Sequence, residues 1–147
     1  MIRRIVGALA IALLGVSCAG EASNISGDLR NVGPVTVTFK VEPARVRVGQ
    51  SVRFTFRLVN NAGKDEQLTF PTGQHYDFWA TRGTTESWRW SEGRVFIQTI
   101  TRETITPQSS LTLSEFWKPE RAGEYIAHGR LTASGYEREL TGKLVVE

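Results

Sequence analysis

His75 and Asp77 stand two residues apart, so on a strand they share a face and could act as an acid–base pair or as two ligands of a metal ion. A hydrolytic zinc site needs three protein ligands, and the second of the two histidines, His128, lies far along the chain without ligand spacing around it. Both histidines therefore read as surface or strand-end residues with hydrogen-bonded neighbours. None of the serines sits in a nucleophile elbow. No catalytic residue, metal site or cofactor is assigned, and the chain reads as non-enzymatic.

The single cysteine offers a different chemistry. Arg3 and Arg4 precede an apolar run over 5–16 that is too short to span a bilayer and ends in Ser17 and Cys18. Charge, apolar core and small residues in that order describe a signal peptide. Leu14, Gly15, Val16, Ser17 and Cys18 look like a bacterial lipobox. Residues 1–17 are expected to be cleaved, leaving Cys18 as a lipidated N-terminus in the cell envelope. The alternative is an ordinary secretory signal with an incidental cysteine. Ala19 carries no inner-membrane retention signal, which favours the outer membrane where a cell has one.

Cleavage removes Arg3 and Arg4, taking the formal net charge from +3, on 18 Lys and Arg against 15 Asp and Glu, to +1. A near-neutral mature chain gives no basis for a nucleic-acid partner. With one cysteine, no disulfide can form within the domain, so packing alone must hold it.

The elements that position these residues follow from periodicity. Residues 18–33 are polar and rich in Gly, Ser and Asn, and are expected to form a flexible tether. From 34 to 147 apolar residues alternate with polar ones: Val35, Val37, Phe39 and Val41, then Val46 and Val48, then Val52, Phe54, Phe56 and Leu58, later Leu111 and Leu113. Period two gives strands with one apolar and one wet face, the pattern of antiparallel sheets. Gly49 and the run Asn60, Asn61, Ala62, Gly63 supply turns. Tyr125, just after a glycine turn at the start of a late strand, matches the tyrosine corner of immunoglobulin-like sandwiches. The expected fold is an all-β, immunoglobulin-like antiparallel sandwich of seven to nine strands, forming a monomeric domain.

Residues 67–100 hold seven of the fourteen aromatics: Phe70, Tyr76, Phe78, Trp79, Trp88, Trp90 and Phe96. Turn-forming groups at 71–73, 82–84 and 91–93 cut them into short strands. If each interval is one strand, the first and third turns lie at one end of the sandwich and the second at the other. Trp88 and Trp90 share a face and read as core, with a platform for a sugar or partner as the alternative. Trp79, opposite in face to Phe78, is the aromatic expected to be exposed. Asp77 and Arg89 are candidates for a cross-strand ion pair.

This wording resembles the BsuPI family of intracellular proteinase inhibitors. The resemblance rests on Phe70, then Thr72, Gly73 and Gln74, then Tyr76, Asp77 and Phe78, then Trp88, Arg89, Trp90 and Ser91, then Phe96, Ile97 and Gln98. It covers roughly 46–146, and it implies a protein that binds and blocks proteases without being an enzyme. The named family is intracellular, whereas this chain looks exported. Three classes stay open: an inhibitor-like module, a general envelope interaction domain, and a carbohydrate-binding module using Trp79 or Trp88. Phe70, Gly73, Tyr76, Asp77, Phe78, Trp88, Arg89, Trp90, Phe96 and Tyr125 are read as fold-defining. Partner contact is placed on Gln74 and His75 first, with Arg82, Glu86 and Trp79 next. Replacing Gln74 and His75 is expected to weaken binding with little effect on the thermal midpoint.

Overall fold

The computed structural model describes residues 26–147. The leader, Cys18 and the start of the expected tether lie outside the described residues. The fold is all-β, with eleven strands: β1 (Ser26–Val32), β2 (Val35–Glu42), β3 (Arg45–Val46), β4 (Val52–Asn60), β5 (Glu66–Phe70), β6 (Tyr76–Arg82), β7 (Thr85–Arg89), β8 (Thr101–Ile105), β9 (Ser110–Trp117), β10 (Gly123–Leu131) and β11 (Arg138–Val146). A four-stranded sheet, in the order β1-β2-β4-β9, packs on a five-stranded sheet, β3-β11-β10-β6-β7; β5 and β8 form a separate ribbon. All pairings are antiparallel except β3 with β11.

The alternating runs explain why the sheets close on one another. On β2 the side chains of Val35, Val37, Phe39 and Val41 are buried, and on β4 those of Val52, Phe54, Phe56 and Leu58. Antiparallel pairing sets Phe39 beside Phe56 and Val41 beside Phe54, so one face of the sheet becomes continuous apolar surface. Phe78, from the other sheet, packs into it with ring centroids 5.8 Å from Phe39, 5.9 Å from Phe54 and 5.3 Å from Phe56. Each such side chain, fully withdrawn from water, contributes roughly 1.5–3 kcal/mol. Gly129 on β10 makes this approach possible, since a Cβ there would lie 2.7 Å from Phe56 Cζ and 2.8 Å from Phe39.

The tyrosine corner is present: the Tyr125 hydroxyl donates to the Arg121 carbonyl at 2.8 Å. The ribbon closes one end, with Leu68, Phe70 and Ile105 reaching the core. Asn60, fully buried, ties that end together. Its Nδ2 donates to the carbonyls of Lys64 and Ile105, both at 2.8 Å, and its Oδ1 accepts from the Ala62 amide at 2.8 Å.

Several expectations change. The stretch read as a tether at 18–33 is strand over Ser26–Val32, paired along its length with β2. Strand pairing satisfies backbone groups and does not require an apolar stripe, which is why polarity misled there. That strand, the two-residue β3 and the β5–β8 ribbon raise the count to eleven. Val48 lies beyond β3 and is exposed. Residues 90–100 form no strand, although Phe96 suggested one.

Candidate functional site

β6 and β7 make a hairpin that arranges the aromatic stretch. Its tip is at 82–85, with Gly83 in the left-handed region at φ 59°, and register pairs Trp79 with Arg89 and Ala80 with Trp88. Phe78, Ala80, Trp88 and Trp90 face inward. Trp88 lies 5.1 Å from Phe54 and stacks on Trp117 at 5.6 Å. Trp90 stacks on Tyr76 at 4.6 Å and meets Phe96 at 5.5 Å. Both indoles pack against the core, as the sequence suggested.

Asp77, Trp79 and Arg89 face outward. Arg89 Nη1 donates to Asp77 Oδ2 at 2.6 Å, and its Nε and Nη2 donate to both carboxylate oxygens of Glu86 at 3.0 and 2.7 Å. Asp77 also accepts from the Ser91 hydroxyl at 2.8 Å. Hydrogen bonding to Glu86 and then to Asp77 raises the Arg89 guanidinium above its ordinary value, and the same bond lowers Glu86. Trp79 points out as expected but is not exposed, retaining only 9% of its surface. The Arg89 guanidinium lies 4.4 Å from its ring centre on one side, and the His128 ring stacks at 4.9 Å and 3° on the other. The two flanking strands supply those covers, since Trp79 pairs with Arg89 and with His128.

The predicted contact residues divide between two ends. Segments 71–75 and 91–100 meet at one end, joined by the Gly73 amide donating to the Ile97 carbonyl at 2.9 Å. A Cβ at Gly73 would sit 2.7 Å from Ile97 Cγ1, so a larger residue there would have to push the Ile97 side chain aside. His75 and Gln74 belong to this end. Arg82, at the hairpin tip, belongs to the other, where Nη1 donates to the Ala122 carbonyl at 3.1 Å. Glu86 lies on β7, held by Arg89. Gln74 and Trp79 line a depression of about 490 Å³ on the outer face, and Arg82 lines one of about 440 Å³ with Trp88, Trp117 and Tyr125.

His75 is less free than the sequence implied. Its ring stacks on Phe70 at 3.9 Å and 12°, and its Nε2 is 2.8 Å from the Thr101 hydroxyl. Replacing it is therefore expected to cost stability. Among the described residues, no group of three or more His, Cys, Asp and Glu is placed to hold a metal ion. His75 and Asp77 do not form an acid–base pair: His75 engages Thr101 and lies 3.9 Å from Glu103, while Asp77 engages Arg89 and Ser91.

The sequence reading placed Phe96, Ile97 and Gln98 in the family motif and named no contact residue within 94–98. That segment is free of bends and turns, and it exposes Val95 (97%) and Ile97 (64%) while Phe96 packs inward on Trp90. The out–in–out alternation of Val95, Phe96 and Ile97 was the available signal. Treating Phe96 as a strand residue obscured it.

No curated protein sequence matches this chain. Among solved structures it is similar to the CARDB domain of a Pyrococcus furiosus protein, at 16% identity and TM-score 0.41, covering 82% of this chain and 94% of that one. It is similar to the sporulation control protein Spo0M of Bacillus subtilis, at 12% identity and TM-score 0.47, covering 79% of this chain and 50% of that one. It is also similar to the Pseudomonas fluorescens alkylpurine DNA glycosylase AlkC, at 11% identity and TM-score 0.42, over 73% of this chain and only 28% of that one. The model of the family described as BsuPI, intracellular proteinase inhibitor, matches residues 35–136, which takes in every strand except β1 and β11, with the hairpin and the loop end just described. The chain belongs to the BsuPI family of intracellular proteinase inhibitors.

Proposed function

We propose that this chain is a non-enzymatic protein-binding module that inhibits a proteinase and works from the cell envelope, anchored by a lipid on Cys18. The observation that carries the inhibitor reading is the family match over 35–136. The geometry supports it in a second way. A proteinase-binding surface must present chain that is held rigid, because ordering a loop on binding costs affinity. The end formed by 71–75 and 91–100 rests on packed rings (Phe70 with His75, Tyr76 with Trp90, Trp90 with Phe96) and on the Gly73–Ile97 backbone bond.

The full-length chain, immobilised and exposed to an envelope extract, captures an endopeptidase and lowers its activity in a saturable way. Capture of partners with no effect on any proteolytic activity would instead make it an accessory interaction domain. The anchor is tested separately: the wild type takes up labelled fatty acid and fractionates with membranes, and Cys18→Ser does neither. Equal fractionation without label removes the lipoprotein part and leaves the inhibitor part standing.

A further inference from the structure

The segment 94–98 has three properties that a proteinase cleft reads. First, it is extended and alternates, with Val95 and Ile97 outward and Phe96 half-buried. Second, among the described residues no protein group accepts a hydrogen bond from the amides of Val95, Phe96 or Ile97, so these donors are left for another chain, although the Phe96 carbonyl already accepts from Gln98 Nε2 at 3.0 Å. Third, it is fixed at both ends. The Arg94 amide donates to the Ser91 carbonyl at 3.1 Å and its Nε to the Trp90 carbonyl at 2.8 Å, with the guanidinium 4.8 Å from the Trp90 ring centre. The Ile97 carbonyl is held by Gly73.

An endopeptidase binds its substrate as an extended strand, through main-chain hydrogen bonds and pockets for alternate side chains. We infer that 94–98 is the segment that enters the active-site cleft of an endopeptidase, with Val95 in the pocket that selects the residue at the cleavage point. The enzyme it fits accepts branched aliphatic side chains. Arg94 is excluded as the selected residue because its guanidinium is committed to Trp90. The anchored ends keep the segment in place, so the cleft is occupied without efficient turnover. This inference rests on the inhibitor reading above and goes further by naming the contact segment and the partner's specificity.

The test titrates the full-length chain, as wild type, Val95→Asp and Val95→Arg, against serine endopeptidases of the elastase, trypsin and chymotrypsin classes. Val95 is almost fully exposed, so all three proteins share one thermal midpoint. The wild type inhibits the elastase-class enzyme, and Val95→Asp raises the inhibition constant roughly 100-fold, the loss of an interface anchor. Val95→Arg moves inhibition to the trypsin-class enzyme, which a merely structural role for Val95 cannot produce. If the wild type inhibits an endopeptidase and Val95→Asp is equally potent, the contact segment is wrong while the inhibitor reading stands. Inhibition confined to the trypsin or chymotrypsin class overturns the assigned specificity. No inhibition of any of the three enzymes, or Val95-dependent binding to phosphatidylglycerol vesicles in its place, overturns the segment and its specificity, and the capture from envelope extract then decides the inhibitor reading by itself.

Discussion

Arg89 and Asp77 face each other across β6 and β7, with the guanidinium nitrogen 2.6 Å from the carboxylate oxygen. Asp77 is buried and Arg89 is about two-thirds covered, so the pair is not an ordinary surface bridge. Removing the arginine leaves a buried carboxylate with only Ser91 and strips one cover from Trp79. Arg89→Ala is expected to cost about 3 kcal/mol. Asp77→Asn, which keeps an acceptor and leaves Arg89 on Glu86, is expected to cost about 1 kcal/mol. Urea unfolding of the two variants checks the order, and a larger loss from Asp77→Asn would contradict it.

The core makes a sharper contrast. Phe56 is fully buried among Phe39, Phe78 and the bare backbone of Gly129, whereas its neighbour Arg57 faces water. Phe56→Ala is expected to lose roughly 3–5 kcal/mol. Arg57→Ala is expected to stay within about 0.5 kcal/mol of the wild type. Equal losses would mean that β4 does not present one face to the core.

At the loop end, His75 and Gln74 separate. His75→Ala removes a ring stacked on Phe70 and a hydrogen-bond partner of Thr101, and is expected to cost about 1–2 kcal/mol. The hydrogen bonds found at Gln74 run through its backbone, to the hydroxyls of Thr72 and Thr132, so Gln74→Ala is expected to leave the thermal midpoint in place. Comparing the midpoints of the two single variants checks this. A thermally silent His75→Ala would restore the simpler reading of that turn as a free contact surface.

A pH dependence follows from Tyr76. Burial, then its hydrogen bond to Glu115 at 2.6 Å and that residue's charge, push the phenol above its ordinary value. A raised folded value means that the stabilisation is complete below the unfolded pKa of about 10 and is lost as pH rises beyond it. Urea midpoints measured from pH 8 to pH 11 should fall more steeply for the wild type than for Tyr76→Phe. Parallel curves would show that the Tyr76 phenol is neither buried nor bonded to Glu115.

The parts of this fold legible in the sequence were those governed by side-chain alternation. β2 and β4 could be read residue by residue, as could the inward placement of Trp88 and Trp90 and the Asp77–Arg89 pair, because a two-residue period assigns each side chain to a face. The tyrosine corner was legible because a hydroxyl placed after a glycine turn has a local partner. Features set by pairing between distant strands were not. Trp79 was expected to be exposed, but His128 on β10 covers it, and no local pattern reveals that register. Strand β1 was hidden because backbone pairing leaves little mark on composition. At the candidate site the residue types drew attention to Gln74 and His75, whereas the extended, outward-facing chain lies some twenty residues later in 94–98. A segment anchored by a neighbouring turn and a ring contact looks, in sequence, like one more strand.

The most direct measurement is the residual activity of a purified envelope endopeptidase, captured by the full-length chain, as the chain is titrated back into it. The account predicts a saturable loss of activity that reaches its limit near one chain per enzyme, with the chain recovered intact. Undiminished proteolysis at a large molar excess, or steady degradation of the chain as a substrate, would contradict it.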